Sequence, residues 1–467
     1  MESAGPKAAA EGGLGEGRLG ALAITFFVVS AAGPLVAMAG GIPITMLFGN
    51  GAGIPIVFAV LTVLLMLFAV GYTAMARRYR NAGAFYALVQ AGLGLRMGGA
   101  TGMIALLSYN GMQIGLYGLF GVAADALVQS LFGYVLPWWG YSLSALLLIG
   151  VLGYRQIDLS VRLLGLLCAG EYLVVLALDF AIISQGGDQG LSLQPFSSDT
   201  ILSGSPMIGL MLGFAAFIGF EATTIYSEEA RDPERSIPLA TYASLLVIGI
   251  FYTVSTWALV MALGTGNVAG ILQSAADPTE LLFDVAGRYA GAPLVTTMRI
   301  LFVTSIFAAM LAFHNALARY AFALGRDGIL PGFFGRSHPR HRSPHRGSIA
   351  QTLLAITAII LFATGGADPI LVVFTLPTAL GTLGILLMMV LAAAAIIVFF
   401  MRERDFPAAR ALPAALSFLG LLGITVLAAT RFDVLTGAQD GYAAALPYLL
   451  VMTAAVGAVI ARPAAHG

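Results

Sequence analysis

The chain has 467 residues, of which 59% are hydrophobic and 10% charged, with a formal net charge of zero. Soluble domains carry about 25% charged residues, so a mean hydropathy of +0.91 excludes an ordinary globular protein and indicates a polytopic membrane protein. The balanced charge gives no footprint for nucleic acid.

Met1 to Gly17 is polar and small, with Glu2, Lys7, Glu11 and Glu16. No basic stretch precedes a short apolar one, so a disordered cytoplasmic tail (1–19) is expected rather than a cleaved signal peptide. A membrane span needs about 20 apolar residues. Twelve runs qualify, at 22–48, 55–76, 98–131, 137–152, 160–184, 206–226, 239–263, 293–324, 349–363, 369–400, 412–429 and 442–460. Two of them are interrupted. The first contains Val29-Ser30-Ala31-Ala32-Gly33-Pro34-Leu35, and the sixth contains Phe217-Ile218-Gly219-Phe220-Glu221. A break in a spanning helix survives only where it faces protein or a watery cavity. Corresponding breaks in two halves of a membrane protein point to a solute site near the midplane of a secondary transporter.

Arginine placement sets the orientation. Arg77, Arg78, Arg80 and Arg96 lie in one loop, Arg326, Arg336, Arg340, Arg342 and Arg346 in another, and Arg402, Arg404 and Arg410 in a third. Alternating spans put all three on one side, leaving Arg288, Arg299 and Arg431 on the other. By the positive-inside rule both termini are cytoplasmic in the cell membrane. The first ten spans divide five plus five, and because five is odd the halves have opposite orientations. Residues 84–94 and 279–291 both read as short amphipathic helices ending at glycine, on opposite faces. An inverted repeat predicts that pairing; chance between two common surface patterns also gives it.

The run from Gly219-Phe220-Glu221 through Ser236-Ile237-Pro238 resembles the sixth-span signature of the amino acid–polyamine–organocation permeases. Thr304-Ser305-Ile306-Phe307, continuing through His314-Asn315 and Arg319-Tyr320 to Leu330-Pro331, resembles their eighth span and following loop. The resemblance implies an all-α integral membrane protein of twelve helices, a LeuT-like five-plus-five inverted repeat with discontinuous helices 1 and 6. It implies a core over 20–400 in two repeats, about 20–200 and 201–400, and two accessory C-terminal helices over 401–467. It further implies uptake or exchange of amino acids or related amines by alternating access. Many members carry a Gly-Ser-Gly-Ile type break in the first span. The Pro-Leu break here resembles putrescine-type importers instead, which opens a polyamine or monoamine importer as the alternative.

Within that frame the residues suggest roles. Ser30, Ala31, Ala32, Gly33 and Pro34 present freed amides at a favourable dipole end to a solute carboxylate, unless the break is a plain packed kink. Ile218 and Gly219 leave carbonyls for an ammonium group, with Phe217 and Phe220 as covers or as core. A carboxylate in hydrocarbon is costly unless paired, hydrated or protonated. Glu221 therefore carries a proton, holds the substrate amine, or accepts hydrogen bonds from its own helix break. Glu171 is a second proton carrier. Asp179, eight positions on, faces roughly the same way and is expected to be hydrated near the outer interface. Thr304 and Ser305 suit sodium with first-span carbonyls, or bond their own helix. Tyr109, Asn110 and Gln113 line the cavity or bond a neighbouring helix.

Glu228, Glu229, Asp232 and Glu234 interleave with Arg231 and Arg235, so salt bridges closing the cytoplasmic exit are expected. His338, His341 and His345 sit in a basic loop suited to anionic lipid rather than to zinc. Cys168 is the only cysteine, which excludes an internal disulfide or a cysteine metal centre. Lys7 is the only lysine, so no membrane-embedded lysine acts. No phosphate-binding glycine loop or nucleophile–base pair is visible. The expected activity is import of a small amine-bearing solute, coupled to protons more readily than to sodium, with the lipid bilayer as surroundings. No cofactor, metal or catalysis is expected. A non-transporting membrane receptor and a membrane enzyme are the readings from other classes.

Overall fold

The computed structural model describes residues 19–78, 84–155, 161–227, 229–275, 278–339, 343–404, 406–437 and 443–461. The N-terminal tail with Lys7, and Arg80, Glu228, Arg340, His341 and Arg342, lie outside the described residues. Backbone groups in lipid must bond within their own segment, and the apolar runs accordingly form helices. Among the described residues the one extended pairing is an isolated bridge between Leu19 and Ala230.

Eleven helices among the described residues are long and apolar enough to cross a membrane. In chain order they correspond to the first, second, third and fifth to twelfth runs. The first is Ala21–Phe48, the second Gly51–Arg78 and the third Leu95–Phe132. The fifth is Gly165–Ser184, the sixth Pro206–Tyr226, the seventh Pro233–Leu263 and the eighth Ala292–Arg326. The ninth is His345–Thr364, the tenth Pro369–Arg402, the eleventh Ala408–Thr430 and the twelfth Ala443–Ile460. The fourth run also folds as a helix, Trp138–Arg155. Two tryptophans, two tyrosines and an arginine dilute its apolar character, so a count of twelve rests on this 18-residue helix. Its rise of about 27 Å nearly matches the roughly 30 Å hydrocarbon core, and Leu147, Leu148 and Val151 are exposed along it.

Both expected short helices form, but the first is not at the surface: Phe85, Tyr86, Leu88 and Val89 are buried in the core. Ala84–Leu93 and Leu281–Ala290 each have ten residues. Each ends at a glycine of positive φ, Gly94 (95°) and Gly291 (79°), which turns the chain into a long helix. The third span is the central post, packed against the eighth, tenth and twelfth. Small residues allow close backbone approach in lipid. A Cβ on Gly111 would stand 2.5 Å from the Pro377 carbonyl oxygen, and one on Gly115 2.8 Å from that of Phe374. Where the second, third, sixth, seventh and eighth spans meet, Phe58, Tyr72, Tyr109, Phe217, Phe220, Tyr252 and Tyr320 are wholly buried.

Candidate functional site

The first span is broken where the sequence places the Gly-Pro pair. An α-helix runs over Ala21–Ala32, Gly33 turns left-handed at φ 55° and ψ 69°, and a new helix starts at Pro34. Proline has no N–H and fixes φ, so it opens a helix readily but cannot continue one. The Gly33 amide bonds the Ser30 carbonyl at 3.2 Å, which closes the first half. Beyond Val36 the chain passes through a wide turn, Ala37–Gly41, before Ile42–Phe48.

The sixth span breaks at Gly219. The α-helix Pro206–Gly213 tightens into a 3₁₀ turn over Phe214–Phe217, Ile218 is extended (ψ 130°), and Gly219 sits at φ 116°. A second 3₁₀ stretch, Phe220–Tyr226, follows.

The two breaks face one cavity of about 200 Å³. Ala32, Gly33 and Val36 line it from the first span and Ala215, Ala216 and Ile218 from the sixth, with Phe58, Met112 and Phe313 closing its sides. It extends along Thr45, Leu212 and Thr378, toward the membrane side where Phe48 ends and Pro206 begins. Among the described residues no charged side chain lines it. Its threonines are turned to their own helices, Thr45 to the Gly41 carbonyl at 2.8 Å and Thr378 to that of Phe374 at 2.6 Å. Drug-sized ligands occupy roughly 300–1,000 Å³, so this volume suits a small solute.

Of the residues singled out in the sequence, Ala32, Gly33 and Ile218 line the cavity. Ala31 is the penultimate residue of the first half-helix, and Pro34 is buried in the second. Ser30 is buried beside Cys168 on the fifth span. Phe217 packs on Phe58 and Tyr252, and Phe220 lies edge-on to Phe68. Both serve the core around the break. Asn110 donates to its own helix at the Leu106 carbonyl, 2.7 Å away. Gln113 points to the ninth span, where Gln351 donates to its oxygen at 2.6 Å.

Glu221 is fully buried and already engaged. The Gly219 amide donates to Oε2 at 2.8 Å and the Tyr109 hydroxyl to Oε1 at 2.9 Å. The carboxylate thus caps the break in its own helix, and Tyr72 donates to the Glu221 carbonyl at 2.6 Å behind it. Glu171 holds the other break. Its Oε2 accepts from Ser305 on the eighth span at 2.6 Å, and the freed Leu35 amide faces the same carboxylate. Thr304, one position earlier, bonds its own helix at the Leu301 carbonyl.

The expectation for Asp179 needs correction. It is buried, and its Oδ2 accepts from Ser255 on the seventh span at 2.6 Å. Eight residues at 3.6 per turn leave an offset of about 80°. That angle sends Glu171 to the first and eighth spans and Asp179 to the seventh.

Toward the N-terminal end of the first span the space is shut. Glu229 does not pair within its own loop. It forms a fork with Arg319 of the eighth span, at 2.6 and 3.1 Å, and both side chains are buried. Arg319 also lies 5.1 Å from the centre of the Tyr226 ring, which stacks on Phe27. The Leu19 amide donates to the Glu229 carbonyl and the Arg231 amide to that of Leu19, tying the chain before the first span to the end of the sixth. Asp232 and Arg235 approach only to 4.0 Å, in solvent. Sequence reasoning gave Arg319 no role, although an arginine inside an apolar run is costly enough to demand a partner. His338 and His345 pack ring to ring at 5.0 Å against Tyr154.

The sequence matches the amino acid permease family over residues 19–456. It is 28% identical over 325 residues to the low-affinity putrescine importer of Escherichia coli K12, covering 67% of this chain and 68% of that protein. It is 28% identical over 330 residues to a branched-chain amino acid permease of Bacillus subtilis 168, covering 65% of this chain and 68% of that one. A vacuolar cationic amino acid transporter of Arabidopsis thaliana is 32% identical over 161 residues, 34% of this chain and 25% of its own.

Proposed function

This chain belongs to the amino acid permease family, and from that membership we propose that it is a secondary transporter for a small neutral amino acid with an apolar side chain. The observation that carries the substrate class is the cavity between the breaks, which no charged side chain among the described residues lines. A zwitterion can be held there by backbone alone: with the Gly33 amide on Ser30 and the Leu35 amide on Glu171, the Val36 amide beyond the first break takes the carboxylate, and carbonyls at the second take the ammonium group. A dication such as putrescine needs carboxylates in the cavity. Glu221 is committed to Gly219 and Tyr109, so the polyamine reading lacks its anchor, although one relative is a putrescine importer.

The working frame is twelve spans in two inverted repeats of five, with two accessory helices, both termini cytoplasmic and the protein in the cell membrane. In that orientation the cavity leans outward and the Arg319–Glu229 pair bars the cytoplasmic route. Glu171, set between the fifth, eighth and broken first spans, carries the coupling proton. Glu221 holds the second break in shape.

The test is uptake into proteoliposomes, with pH and sodium gradients set independently and a panel of competing solutes. Leucine, valine and alanine are expected to compete and putrescine and arginine to fail, with accumulation following the pH gradient. Competition by putrescine overturns the substrate class. Binding without accumulation replaces the transporter with a receptor.

A further inference from the structure

A second cavity, of about 660 Å³, lies between the third, eighth, ninth, tenth and twelfth spans. Its wall residue Leu354 is 45% exposed, so it opens on the outside of the helix bundle. The walls are hydrocarbon, including Leu106, Ile114, Leu317, Leu376 and Leu446. Of the few polar side chains among them, Gln351 donates to Gln113 and the Asn110 NH₂ to the Leu106 carbonyl, while the Asn110 Oδ1 has no partner among the described residues and Thr453 adds a hydroxyl. Along the ninth span the groove runs from Gly347 to Phe362, about 22 Å at 1.5 Å per residue. One leaflet of a roughly 30 Å hydrocarbon core is about 15 Å deep, so the groove takes a lipid tail at full length.

One mouth of the groove is basic. Leu330 and Phe334 close it there. Arg346 adjoins Gly347, lies 4.3 Å from the centre of the Phe333 ring and donates one N–H to the Phe333 carbonyl at 2.8 Å. Its other guanidinium donors remain for a further acceptor. Arg336 is exposed two residues beyond Phe334. The acid of this segment, Asp327, accepts from Tyr86 and faces Arg326.

We propose that the groove holds an acyl tail of an anionic phospholipid whose phosphate is held by Arg336 and Arg346. An apolar slot in contact with the bilayer fills with hydrocarbon, and arginines at its mouth select an anionic head group by charge and forked hydrogen bonding. The site is separate from the cavity at the helix breaks, and its occupancy does not depend on the transported solute.

The full chain in detergent is exchanged with equimolar phosphatidylglycerol and phosphatidylcholine, and bound lipid is counted by native mass spectrometry. The wild type retains phosphatidylglycerol preferentially, with each arginine contributing up to about fivefold. The paired substitution Arg336→Gln, Arg346→Gln brings the ratio close to one, while Arg336→Lys, Arg346→Lys keeps most of the preference. Ala350→Trp fills the groove and lowers retained lipid of both kinds, with Ala321→Phe as the second groove variant should the first not elute as folded protein. No preference in the wild type, or a full preference in the double glutamine variant, overturns the head-group assignment. Unchanged lipid counts in a folded groove variant overturn the tail assignment.

Discussion

Glu221 accepts a hydrogen bond on each of its carboxylate oxygens. It faces an amide N–H at one and a tyrosine hydroxyl at the other. Glu221→Gln keeps an oxygen for the Gly219 amide but turns an NH₂ on Tyr109, whose hydroxyl must then accept and give up its own donor bond in the core, at a cost of about 1–3 kcal/mol. The expected result is a lower unfolding midpoint in detergent and slower uptake, with dependence on the pH gradient intact. Glu171→Gln differs in kind. The glutamine oxygen accepts from the Leu35 amide and its NH₂ donates to Ser305, whose hydroxyl turns its own proton to a carbonyl of its helix, so the fold is kept, and accumulation driven by the pH gradient is lost while downhill exchange continues. Uptake under imposed gradients separates the two. If Glu221→Gln abolishes gradient dependence and Glu171→Gln leaves it unchanged, the roles are exchanged.

The two breaks differ in how much strain a side chain would add. Gly33 lies in the left-handed region that asparagine tolerates, and a Cβ there meets Val36 at 3.2 Å. Gly219, at φ 116°, lies where only glycine is comfortable. Gly33→Asn is therefore expected to keep a substantial fraction of uptake, and Gly219→Ala to lose most of it, with initial uptake rates as the measure. Equal losses would show that the backbone conformation at Gly219 is not the constraint. These breaks were legible in the sequence because glycine and proline act on their own backbone. The helices were legible from apolar length alone. What was not legible depended on angle and distance. The headings of Asn110, Gln113 and Asp179 around their helices follow from packing, and the partner of Glu229 lies 90 positions away on another span. The fourth helix, expected as a span, falls short of the length and apolarity that the other eleven reach because aromatic residues and an arginine occupy its ends.

For the whole molecule the decisive question is which side opens. The cavity leans to one side of the breaks, and on the other the Arg319–Glu229 fork, the Phe27–Tyr226 stack and the Leu19–Ala230 bridge lie in series. A buried pair is weak evidence of net stability, but removing one partner strands the other charge at about 3–5 kcal/mol. That penalty falls on the closed arrangement and is relieved when opening lets water reach Arg319, so Glu229→Gln favours the state open at the N-terminal side. Cys168 is the only cysteine, and it is buried, so a Cys168→Ser background leaves a clean reporter. Ala222→Cys sits in the 3₁₀ stretch between the break and the fork and is nearly buried. In inside-out vesicles a membrane-impermeant maleimide should label it slowly with Glu229 present. Adding Glu229→Gln should speed labelling at least tenfold, since about 1.4 kcal/mol already shifts a two-state balance by that factor. Glu229→Asp keeps the charge and should leave labelling near the slow rate. Equal rates in all three would mean that the fork holds the fold together without barring the route, and the closure would then belong to the aromatic stack and the bridge.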